Sequence, residues 1–69
     1  MIVMVNDKQI EVDEQTTVAA LLQSLGFPDR GIAVAIDFSV LPRSDWTTKL
    51  LDFSGRPVRL EVVTAVQGG

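Results

Sequence analysis

The chain predicts an α+β domain of two layers, a mixed sheet of four to five strands with one main helix packed on one face. Two observations carry that prediction. The stretch "TTVAALLQSLGFP" is the clearest segment whose apolar residues recur at helical spacing, and Val- and Ile-rich segments of strand length lie on both sides of it. A single amphipathic helix has one face to bury, and that face finds its place on the sheet. Sixty-nine residues make one domain, spanning 1–69, with a small core.

Each element follows from local chemistry. Ile2–Val5 and 9–12 are strand candidates, and Asn6, Asp7 and Lys8 between them accept turn conformations, so the start reads as an antiparallel hairpin. Ile10 and Val12 alternate with Gln9 and Glu11, one face buried and one wet, whereas every residue from Ile2 to Val5 is apolar. Thr16 or Thr17 caps the helix by accepting a hydrogen bond from a free backbone N–H, with Asp13 and Glu14 just ahead at the favourable end of the helix dipole. Val18, Leu21, Leu22 and Leu25 form the apolar stripe; Gly26 supplies a left-handed position after the helix and Pro28 forbids continuation.

The second half is all strand and loop. Ile32–Ile36 is the third strand, a tight link sits at Asp37, and Ser39–Leu41 is a short segment ended by Pro42, which cannot donate to a ladder. "RSDWTTKLL" reads as irregular or as a helical turn capped by Ser44, with Trp46 plugging one end of the core and its indole N–H finding a partner. After Pro57, Val58, Leu60 and Val62 alternate with Arg59 and Glu61 in the longest strand. The order is β-β-α-β-β-β. A long last strand at the centre of the sheet, beside the doubly apolar first strand, completes a β-grasp arrangement. The expected core is Val3, Val5, Ile10, Val12, Val18, Leu21, Leu22, Leu25, Val34, Ile36, Leu60 and Val62.

Composition narrows the function. The net charge is −3, and the six basic residues are scattered, with no run able to track a phosphate backbone, so nucleic acid is not an expected partner. The opening "MIVMVNDKQIEVDE" resembles neither a secretory signal nor a membrane span, which predicts a soluble, cytoplasmic protein with no membrane partner. There is no cysteine for a disulfide or thiol chemistry and no histidine to act as a base or metal ligand. Serines 24, 39, 44 and 54 lack an imidazole to activate them. Asp37, Asp45 and Asp52 fall in loops as solvated charges, no acid spacing matches a Ca²⁺ loop, and the isolated glycines cradle no phosphate. No catalytic residue, metal site or bound cofactor is expected.

One reactive group remains, the carboxylate of Gly69 at the end of "AVQGG". It is ionised and unreactive near neutral pH. Conversion to an acyl adenylate would have to occur in another protein's ATP site. Gly68 and Gly69 suit that task, because without a Cβ they reach backbone angles closed to other residues and can thread a narrow channel.

The residues resemble the ThiS family, ubiquitin-like sulfur carriers of thiamin thiazole biosynthesis. The likeness spans the whole chain and is most specific in "GIAVAIDFSVLPRSDW" and "EVVTAVQGG": residues 33–36, Leu41 to Arg43, Trp46, Gly68 and Gly69 match the family's "AVAIN…VPR…W" pattern and its Gly-Gly end. The resemblance implies a β-grasp fold and a carrier that is itself no enzyme and is a monomer when free. It further implies that an E1-like adenylyltransferase activates the Gly69 carboxylate with ATP and Mg²⁺. A sulfur donor such as a cysteine desulfurase system then makes it a thiocarboxylate, which thiazole synthase receives. Gly69 would carry the sulfur, and Gly68, Gln67 and Val66 would form the threading arm. Two positions depart from the family: Ser54, Gly55, Arg56 and Pro57 replace an Asp-Gly-Asp-like turn, and Gln67 stands where alanine is common.

The same fold suggests a docking surface. With Val3 and Val5 facing the helix, Ile2 and Met4 would lie on the open face of the sheet near Val63 and Ala65, and Ile2, Met4 and Val63 are expected to contact the activating enzyme or the synthase. Arg43 is expected to be solvated beside Pro42, with pairing to an acidic partner as the alternative. Three other functions fit a β-grasp domain ending in Gly-Gly: a carrier of the molybdopterin-synthase small-subunit type, a non-catalytic ubiquitin-like interaction module, and a protein modifier joined through Gly69 to lysines.

Overall fold

The computed structural model describes residues 1–64. The order is β1 (Ile2–Val5), β2 (Lys8–Glu11), α1 (Val18–Ser24), β3 (Ile32–Ile36), β4 (Ser39–Leu41), two 3₁₀ turns (Arg43–Asp45 and Leu50–Asp52) and β5 (Val58–Thr64). Five strands form one mixed sheet in the order β2-β1-β5-β3-β4, with β1 and β5 parallel and the other pairs antiparallel. Helix α1 covers one face. This is the expected β-grasp arrangement, with the longest strand at the centre.

Both hairpins turn through two residues at positive φ: Asn6 and Asp7 at 50° and 68°, Asp37 and Phe38 at 52° and 69°. Such paired left-handed residues match the right-handed twist of the strands they join. The first turn is therefore one residue tighter than expected. Lys8 belongs to β2, and the strand ends at Glu11 rather than Val12. Val12 nevertheless exchanges two hydrogen bonds with Met1, at 2.8 Å through its N–H and 2.7 Å through its carbonyl.

Helix α1 is short, and its start is satisfied from outside. Thr17 is the cap, its hydroxyl accepting from Ala20 N–H at 3.1 Å. The N–H groups of Val18 and Ala19 donate to the carbonyls of Thr48 and Trp46, at 3.1 and 2.9 Å. The segment after Pro42 thus supplies acceptors for two donors that a helix leaves free. Leu50 N–H in turn donates to Thr16 at 2.9 Å, and Thr17 bridges Lys49, so the loop is stitched to the start of the helix from both sides. Ser44 caps nothing; the first 3₁₀ turn starts from Pro42 with no side-chain cap. At the other end Gly26 takes the left-handed position, φ 84°.

The core holds Val3, Val5, Val18, Leu21, Leu22, Val34, Ile36, Leu60 and Val62 as expected, together with Trp46, Leu50 and Val58. Three expected members are corrected. Ile10 and Val12 only pack against its margin, because β2 is an edge strand with a neighbour on one side alone. Leu25 is 38% exposed, since the helix ends at Ser24 and the stripe no longer faces the sheet one residue later.

Candidate functional site

Gly69, expected to carry the sulfur, and Val66, Gln67 and Gly68, expected to form the threading arm, lie outside the described residues, as does Ala65. The strand that leads to them is within view. β5 pairs with β1 from Val58 to Leu60 and with β3 from Leu60 to Thr64, so the two neighbours grip different stretches and overlap only at Leu60. On the core side Val58, Leu60 and Val62 alternate inward; Arg59, Glu61 and Val63 point to the open face.

The register places the expected docking residues. Ile2, Met4 and Val63 all belong to the open face, with Ile2 44% and Val63 64% exposed and Met4 half-buried. They do not form one cluster. Met4 lies opposite Arg59, four residues before Val63, which is a separation of roughly 13 Å along the strand. Val63 instead neighbours Ala33, and on the far side of β3 Val40 lies opposite Ala35. The open face therefore carries two apolar areas, Ile2 with Met4 and Val63 with Ala33, Ala35 and Val40, separated by Arg59 and Glu61. Among the described residues Val40 and Phe38 are the most exposed large apolar side chains, at 78% and 88%. Their signal in the sequence was an apolar residue between Ser39 and Leu41 and an aromatic one inside a turn.

Trp46 and Arg43 take their expected places, buried and exposed, with contacts the sequence did not show. The Arg43 side chain is exposed, as expected, and its guanidinium also lies 5.4 Å from the Trp46 ring centroid, donates to the Asp29 carbonyl and sits 4.0 Å from the Asp29 carboxylate. Trp46 is buried, as expected for a core plug, but its indole N–H has no acceptor among the described residues. The cation beside it is a donor only, and Trp46 and Arg43 stand with Ala19, Leu22, Gln23, Phe27, Asp29 and Thr47. These residues line a groove of about 510 Å³ between α1 and the first 3₁₀ turn. Arg56, at the departure from the family turn, binds its own loop, donating to the carbonyls of Phe53 and Gly55 at 2.7 and 2.6 Å.

Among the described residues no three His, Cys, Asp or Glu side chains come together as a metal site, and no helix is long and apolar enough to cross a membrane. Nothing in the described surface offers a nucleophile with a base beside it. A comparison with curated proteins found no match. The family model for the ThiS family matches residues 2–69, through the strands, the helix and the Gly-Gly end alike. With a five-stranded β-grasp sheet, one helix and a match of that extent, the chain belongs to the ThiS family, whose members are small sulfur carriers rather than catalysts.

Proposed function

We propose that this protein carries sulfur on the carboxylate of Gly69 for the assembly of the thiamin thiazole. The supporting observation is the family match, which runs to Gly69 on a chain without histidine or cysteine. An E1-like adenylyltransferase supplies ATP and Mg²⁺. A carboxylate oxygen attacks the α-phosphorus, pyrophosphate leaves, and the acyl carbon becomes electrophilic. The outer sulfur of a persulfide on the cysteine desulfurase system then adds to that carbon and AMP departs; a thiol attacks the donor-side sulfur of the resulting acyl disulfide, which leaves a disulfide on the donor and frees the thiocarboxylate for thiazole synthase. Gly68, Gln67 and Val66 form the arm that enters each partner's channel, the two glycines for want of a Cβ. The carrier works in the cytoplasm, as a monomer between visits, and docks through its open face with Ile2, Met4 and Val63.

Adenylation is the step to test first. With an E1-like enzyme of a thiamin pathway and ATP, the wild-type chain should release pyrophosphate and gain one AMP on Gly69, located by fragmentation. The Gly69→Trp variant should keep its unfolding temperature and gain none. An AMP adduct formed equally well on the variant would overturn the assignment.

A further inference from the structure

The sheet contains a substitution of side chain for backbone that bears on how the terminal residues are presented. β1 ends at Val5, and its parallel ladder with β5 closes with the Asn6 N–H donating to the Leu60 carbonyl at 3.0 Å. In a parallel ladder carried one step further, the N–H of Val62 would bond the carbonyl of residue 6, and the carbonyl of Val62 would accept from the N–H of residue 8. The chain has already turned away at Asn6 and Asp7, so neither partner is there. The Asn6 side chain fills both places: Val62 N–H donates to its Oδ1 at 2.8 Å, and its Nδ2 donates to the Val62 carbonyl at 3.1 Å. Asn tolerates the left-handed conformation, φ 50°, that aims the amide this way.

We infer that Asn6 is a positioning residue for the carrier's terminus: its amide extends the grip on β5 from Leu60 to Val62. Without it, the β1 side of the strand would be open for its last residues before the terminal arm, and β3 alone would hold them. The inference rests on the reading of Gly69 as the loaded group. A strand end pinned on both sides starts the arm from one place. An unpinned one presents it correctly for a fraction of the time, and the apparent affinity of the activating enzyme falls by that fraction.

The test uses the full chain in three variants. Asn6→Gly keeps the left-handed turn and removes the amide; Asn6→Asp keeps the acceptor for Val62 N–H and loses the donor; Asp7→Gly changes the other turn residue, which is also left-handed, and leaves the amide in place. Hydrogen exchange should speed up about tenfold at the Val62 amide in Asn6→Gly, less in Asn6→Asp and not in Asp7→Gly, while the Leu21 amide in α1 stays protected. In loading by the E1-like enzyme, KM should rise about three- to tenfold in Asn6→Gly with kcat held, and Asn6→Asp should fall between. Unchanged exchange at Val62 would overturn the clamp; faster exchange with an unchanged KM would overturn its role in presentation. If the wild-type chain is not loaded at all, the sulfur-carrier reading fails and the presentation role with it, whereas exchange at Val62 still decides whether the clamp exists.

Discussion

Single residues set the ends of the elements in this domain. Gly26 stands at φ 84° after α1, and a Cβ built there would meet nothing within 4 Å. The cost of a side chain at this place is therefore conformational and not steric. Gly26→Ala should lower stability by about 1–2 kcal/mol, the left-handed cost of an L-residue, read as a shift of the urea midpoint with unchanged slope. A stability equal to wild type would mean that the turn relaxes into another conformation. The positive φ values at Asn6, Asp7 and Gly26 were legible in the sequence because these residue types tolerate the left-handed region. Phe38 was not: an aromatic residue at φ 69° contradicts local preference, and only the pairing of β3 with β4 imposes it.

At the scale of elements, the strands and the helix could be read from periodicity, while the loop from Pro42 to Pro57 could not. Leu50 is fully buried, yet nothing in "RSDWTTKLL" has a period that says so. Its burial follows from carbonyls of that loop meeting the free N–H groups of α1, a contact between segments far apart in sequence, as Val18 with Thr48 and Ala19 with Trp46. Alternation likewise revealed which way Ile10 and Val12 face, but not that β2 is an edge strand where such residues stay half-covered. Leu50→Ala should cost about 2–5 kcal/mol, a large part of the stability available to a domain this small. Thermal unfolding should show a large drop in midpoint or no folded state at all. A drop as small as that of an exposed substitution would mean that the loop closes over the cavity.

Taken whole, the molecule is a scaffold that presents one strand. The open face was predicted to dock partners through Ile2, Met4 and Val63, and the register divides those residues between two apolar areas on either side of Arg59 and Glu61. Val63 lies nearer in sequence to the terminal arm, so an enzyme engaged on Gly69 would reach it first. Val63→Lys should weaken binding of the E1-like enzyme about tenfold in a titration while leaving the unfolding temperature within a few degrees, since the side chain is already exposed. An unchanged affinity would remove Val63 from the interface. The family was legible from motifs across the chain; the proposed chemistry was legible only as a terminal carboxylate on a sequence without histidine or cysteine, because the groups proposed to activate it belong to other proteins.

The central claim is that sulfur rides on the last residue. The wild-type chain, incubated with its E1-like enzyme, ATP and a sulfur donor, should show by intact mass the exchange of one oxygen for one sulfur, located at Gly69. An unchanged mass, under conditions in which the same enzyme loads another ThiS carrier, would contradict the account.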